Sequence, residues 1–180
     1  MSVEKEVIGK GKFVDLMVMK DEENGVQGYE YLHEKRSDGK IVAILPFSEE
    51  GDFLIRQEVT PCWGMEPKIS SITGGVDPGN SLFETVVEEM KEEAGYEIKM
   101  SELIPLGTCR GTKSVDTVYY LYACDFSERK NLDLDVDPSG DGSELEGKAY
   151  CMWMDPDDVA ANGSDPLLYV MMVRLAQTYL

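Results

Sequence analysis

The stretch Gly74-Gly75-Val76-Asp77-Pro78-Gly79-Asn80-Ser81 runs straight into a segment that crowds five glutamates (84, 88, 89, 92 and 93) into ten residues, with Lys91 the only base among them. Like charges four apart on a helix destabilise it by about 0.2–0.5 kcal/mol per pair, and Glu88/Glu92 and Glu89/Glu93 are such pairs. The segment is nevertheless built to be a helix. Ser81-x-x-Glu84 predicts a capping box at its start, and Gly95 is suited to the left-handed residue after its end. At about 100° per residue, Leu82, Phe83, Val86, Val87, Met90 and Ala94 share one face and should pack on a sheet. Glu89, Glu92 and Glu93, at i, i+3 and i+4, share another. Two readings of that face stand side by side: a solvated acidic surface, or oxygen ligands for a hard divalent cation such as Mg²⁺.

This segment resembles the Nudix box, G-x5-E-x7-R-E-U-x-E-E-x-G-U, with U aliphatic or aromatic. Gly74 takes the leading glycine, and Glu89, Met90, Glu92, Glu93, Gly95 and Tyr96 match. Asn80 stands where the first glutamate belongs, and Glu88 where the arginine belongs. Beyond the box, the chain is similar to the ADP-ribose pyrophosphatase branch over roughly residues 10 to 160. Ile41 to Pro46 followed by Leu54-Ile55-Arg56-Gln57 resembles that branch's strand pair ending in an Arg-Gln step. Tyr119 to Phe126 and Trp153-Met154-Asp155-Pro156 resemble its later strands. Where that branch continues to a second arginine, this chain has Glu58, and Ser70 replaces a glutamate ahead of the glycines.

The resemblance implies an α/β fold, an α/β/α sandwich with a mixed sheet and a small N-terminal β subdomain. It further implies a Mg²⁺- or Mn²⁺-dependent hydrolase acting on a nucleoside diphosphate joined to another moiety, ADP-ribose or a related nucleotide sugar. Glu89, Glu92 and Glu93 would hold the metal, with the Thr73 carbonyl as a further ligand. Arg56 and Gly74 would meet the substrate, as would Asp116, which stands where relatives carry a further acidic metal ligand. Read from the residues themselves, Arg110 and Lys113 either supply the substrate-binding positive charge that the missing second arginine would have given or are exposed solubilising residues. Glu144 or Glu146, in the acidic loop 141–147, would act as general base, with Glu89 as substitute. Because an arginine at position 88 would brace the carboxylates, Glu88 also leaves room for a catalytically weakened nucleotide-binding module. The same loop places Asp133, Asp135, Asp137 and Glu144 at calcium-loop spacing, but Pro138 occupies the position that demands glycine.

Composition bounds the rest. A chain of 180 residues suits one domain, 1–180, able to bury a sizeable core. The resemblance assigns about 10–45 to N-terminal strands used for homodimerisation, and 46–180 to the core. The formal net charge of −18 argues against binding nucleic-acid duplexes, which takes clustered Lys and Arg. No run of about 18 apolar residues suggests a membrane span, and the polar start does not read as a signal peptide. Cys62, Cys109, Cys124 and Cys151 lack metal-site spacing and read as buried, reduced thiols of a cytoplasmic protein. His33, the one histidine, reads as structural. Strands are expected at 13–19, 28–33, 41–47, 53–59, 102–109, 117–125 and 149–154. Asp38-Gly39 should close a hairpin, and helices should start at Asp155 and at Asp165-Pro166.

Overall fold

The computed structural model describes residues 3–132 and 146–179. Among these residues ten strands and three α-helices follow in order: β1 Glu4–Lys10, β2 Val14–Asp21, β3 Val26–Glu34, β4 Lys40–Phe47, β5 Phe53–Glu58, β6 Lys68–Ser70, β7 Ile72–Gly75, α1 Leu82–Glu92, β8 Leu103–Cys109, β9 Val118–Asp125, β10 Tyr150–Met154, α2 Pro156–Asn162 and α3 Pro166–Tyr179. β1, β2 and β3 form an antiparallel sheet of their own. The larger, seven-stranded sheet runs β10-β5-β4-β9-β8, with β6 added to β5 and β7 to β4.

Strand β4 shows why this is a sandwich. Val42, Ala43, Ile44 and Leu45 are all fully buried, and successive side chains on a strand leave opposite faces. Val42 and Ile44 pack with Val86, Met90 and Ala94 of the α1 layer. Ala43 and Leu45 pack with Leu168 and Met171 of α3 and with Val159 of α2. A strand apolar on both faces belongs at the centre of a covered sheet. It pairs in parallel with β9, Val42 opposite Tyr120, and antiparallel with β7, Val42 opposite Gly74.

Three expectations need correction. Asp38 and Gly39 do take positive φ values, 50° and 72°, as a tight turn requires. The strands they join do not pair, because β3 binds β2 whereas β4 is claimed by β9 and β7. Residues 40–45, grouped with the N-terminal strands, therefore lie in the central strand of the large sheet. β1 was not foreseen: its charged, almost wholly exposed residues carry no apolar alternation. Of the four cysteines, only Cys124 is fully buried, and Cys62 is exposed.

Helix α1 begins as its letters require. Glu84 N–H donates to Ser81 Oγ at 3.2 Å, and Ser81 N–H to Glu84 Oε2 at 2.7 Å. At its other end Gly95, at φ 74°, donates to the Lys91 carbonyl. Among the described residues no helix is long and apolar enough to cross a membrane. Since Met90 is fully buried between α1 and the sheet, we expect Met90→Ala to lower unfolding stability by about 2–5 kcal/mol in a urea titration.

Candidate active site

The glycine turn and the acidic helix meet at one point. A Cβ built on Gly74 would lie 2.0 Å from Glu89 Oε1 and 2.3 Å from its Cγ. The Glu89 carboxylate thus occupies the volume that any side chain at 74 would fill, and glycine is required there for close approach rather than for an unusual φ. Thr73, half-buried, is the next residue along β7. One helical turn on from Glu89, Glu93 turns inward. Arg56 Nη1, from β5, donates to Glu93 Oε1 at 2.8 Å, and Arg56 Nε donates to Glu58 Oε2 at 3.1 Å. Ser70 Oγ, on β6, donates to Glu58 Oε1 at 3.0 Å. Glu92 stays at the exposed surface of α1.

The two positions where the box departs from its pattern meet each other. Asn80 Nδ2 donates to Glu88 Oε2 at 2.9 Å. Glu88 is therefore not an added bare charge beside the other carboxylates. The amide satisfies it across the start of the helix.

Arg110, Lys113 and Asp116 assemble elsewhere. They line a groove of about 680 Å³ together with Lys5, Met19, Tyr29 and Tyr31 of the N-terminal sheet. The β8–β9 loop is stitched to β3: Leu32 N–H donates to Ser114 O at 2.8 Å, Asp116 N–H donates to Leu32 O at 3.1 Å, and Tyr29 Oη donates to Lys113 O. Asp116 Oδ2 lies 2.9 Å from His33 Nδ1, and its carbonyl accepts from Arg110 Nη1 at 2.7 Å. His33 is accordingly a strut between sheet and loop. A second recess sharing Lys5, Tyr31 and Asp116 continues to Gly39, Lys40 and Tyr120. Tyr120 is in register with Val42, and Val42 with Gly74, so two strand spacings, roughly 10 Å, separate the recess from the glycine beneath Glu89.

The structure thus gathers Gly74, Glu89, Glu93 and Arg56 at one centre, and Arg110, Lys113 and Asp116 at another. Arg56, assigned to the substrate by resemblance, is only 4% exposed and is held by two carboxylates. Glu144 lies outside the described residues, and of Glu146 only the backbone, opening a short 3-10 turn, is described. Sequence reasoning missed Glu58 and Ser70 as partners of Arg56, and Lys5, Tyr29 and Tyr31 as groove walls. The available signal was an arginine inside the apolar run Leu54-Ile55-Arg56, since a buried charge demands a counter-charge.

No three His, Cys, Asp or Glu side chains converge as a ready metal cage among the described residues. The donors present still fit Mg²⁺ or Mn²⁺. They are all oxygens, and such ions retain waters and bind through one or two carboxylates rather than through all-protein cages. The Glu89 carboxylate, seated in the Gly74 cradle, is one of those donors.

The NUDIX domain model matches residues 38–172, and the chain belongs to the Nudix family. No curated protein matches it in sequence. A crystal structure described as an ADP compounds hydrolase superposes with a TM-score of 0.63, at 18% identity, over 98% of this chain and 95% of that one. At that identity the likeness is one of fold.

We expect a double-mutant cycle over Asn80→Ala and Glu88→Ala to return a coupling of about 0.5 kcal/mol in chemical denaturation, the low end for a hydrogen bond because the pair is exposed. A coupling of zero would show that the bond has no weight in solution.

Proposed function

We propose that this chain is a divalent-metal-dependent hydrolase of the pyrophosphate bond in a nucleoside diphosphate linked to a second moiety, with ADP-ribose or a nucleotide sugar as substrate. The observation that carries the reading is the Glu89 carboxylate seated in the side-chain-free space over Gly74, one helical turn from Glu93. The activity for which the structural neighbour is named, hydrolysis of ADP compounds, is in keeping with this substrate class.

Glu89, Glu92 and Glu93, with the Thr73 carbonyl, would hold Mg²⁺ or Mn²⁺. Such an ion offsets the charge of the pyrophosphate oxygens and lowers the pKa of a bound water. Arg110 and Lys113 are exposed cations on a chain of net charge −18, and their groove offers an anionic substrate positive charge beside two tyrosine rings. A pyrophosphate between groove and helix would place the nucleoside or its partner group against Tyr29 and Tyr31. The base that takes the proton of water belongs to Glu89, Glu144 or Glu146, and among the described side chains Glu89 is the one supported by position.

The deciding experiment is a Mg²⁺/Mn²⁺ screen against ADP-ribose, NADH, diadenosine polyphosphates, nucleotide sugars and nucleoside triphosphates, reading released nucleotide. Tight nucleotide binding with no turnover on any substrate would favour the binding module instead. Glu92→Gln should lower metal-dependent turnover at least about tenfold. In Gly74→Ala the new methyl must evict the Glu89 side chain. We expect the metal-dependent rise in melting temperature to vanish, while the metal-free value moves by no more than about 4 °C, roughly 1 kcal/mol.

The small sheet leaves Val7, Phe13, Val14, Leu16 and Leu32 exposed, Phe13 by 57%. This apolar surface supports a homodimer through the N-terminal strands, symmetric dimers being the commonest oligomers. Light scattering at micromolar concentration should give twice the monomer mass, and Phe13→Glu with Leu16→Glu should return it to the monomer.

A further inference from the structure

We propose that Arg56 is a positioning residue for Glu93: a strand arginine, reaching into the end of α1 from below, sets where that carboxylate stands when a cation arrives. The inference rests on the reading of Glu89, Glu92 and Glu93 as cation ligands. Within the helix, Lys91 does not serve this purpose, because its Nζ is drawn 3.4 Å from Glu97 at an exposed site. Arg56 reaches the cluster from the sheet, with its side chain 5% exposed and Nη1 on Glu93 Oε1.

The guanidinium is itself fixed, which separates an orienting group from a mere counter-charge. A planar fork with one arm on each of two carboxylates has little freedom to turn. Glu58 holds Nε, and Ser70 Oγ holds Glu58. Arg56 is in register with Ser70 on β6 and with Cys151 on β10. Cys151 Sγ donates to the Glu93 carbonyl at 3.4 Å. Glu93 is therefore clamped by backbone and side chain from two strands. Groups that orient a metal ligand act on affinity and rate through the ligand without touching substrate. The positions of Glu58 and Ser70 then have a common purpose, holding the guanidinium toward Glu93 and away from a phosphate.

The test is Mn²⁺ titration of the full chain without substrate, following the free-ion EPR signal, alongside steady-state kinetics. Arg56→Gln should weaken Mn²⁺ binding by about 10- to 100-fold and lower kcat with KM little changed, and Arg56→Lys should recover part of both. Glu58→Ala, which keeps Arg56 but frees Nε, should give a smaller loss, and it carries the test if Arg56→Gln fails to fold. Adding Arg56→Gln to Glu93→Gln should weaken Mn²⁺ binding no further, because the effect passes through Glu93. Unchanged Mn²⁺ affinity in the Arg56 and Glu58 variants overturns the proposal. So does a raised KM at constant kcat, which would make Arg56 a substrate contact. If the parent chain binds no Mn²⁺, the reading of the carboxylates as a cation site has failed first.

Discussion

A guanidinium buried in the large sheet is the constraint on which the site's construction depends. Removing a charge from water is costly unless it is paired and hydrogen-bonded, and Arg56 meets that demand with two carboxylates, Glu58 and Glu93. Satisfying it brings β5, β6 and the last turn of α1 to one point. Glu93 is drawn inward by the same bond, which leaves Glu92 outside and Glu89 over the glycine turn. Three glutamates that are equivalent on a helical wheel thereby become three different environments.

The second organising tie is between the small sheet and the β8–β9 loop. A loop carrying Arg110 and Lys113 would, alone, hold its cations in no fixed direction. The hydrogen bonds from Leu32, Tyr29 and His33 make the loop an extension of β3. The N-terminal strands, which lie ahead of the matched family region, therefore form one wall of the groove. Asp165 plays a comparable part on the opposite face: nearly buried, it accepts from Leu167 N–H at the start of α3 and from Ser71 N–H, coupling α3 to the β6–β7 turn.

Local chemistry was legible and distant pairing was not. The capping box, Gly95 and most of the apolar stripe of α1 could be read because each is settled within a few residues, although Thr85 is buried there and Phe83 stays outside the core cluster. The Asp38-Gly39 turn was equally legible, yet the hairpin drawn from it was wrong. A turn fixes the direction of the chain, whereas the burial of Val42 to Leu45 on both faces decides which strands flank β4. β1 escaped notice because an exposed strand of alternating charge has no hydrophobic signal. The glutamates of the site were visible as a cluster, but the bonds from Arg56 to Glu93 and from Asn80 to Glu88 join residues whose spacing suggests nothing. They follow from how the sheet carries β5 beneath the helix and how the glycine turn doubles back over its first turns.

The parallel pairing of β4 with β9 has a consequence for how the chain reaches this state. β4 gains an antiparallel neighbour early, in β7, but its other edge waits for residues that follow α1 and β8 in the chain. Loop closure over such a separation must precede any reward from the contact, which makes pairings of this kind slow. During synthesis, Ile41 to Leu45 therefore emerge as an open, strongly apolar edge, the kind that recruits other strands. The formal net charge of −18 opposes that recruitment, since like-charged copies repel one another.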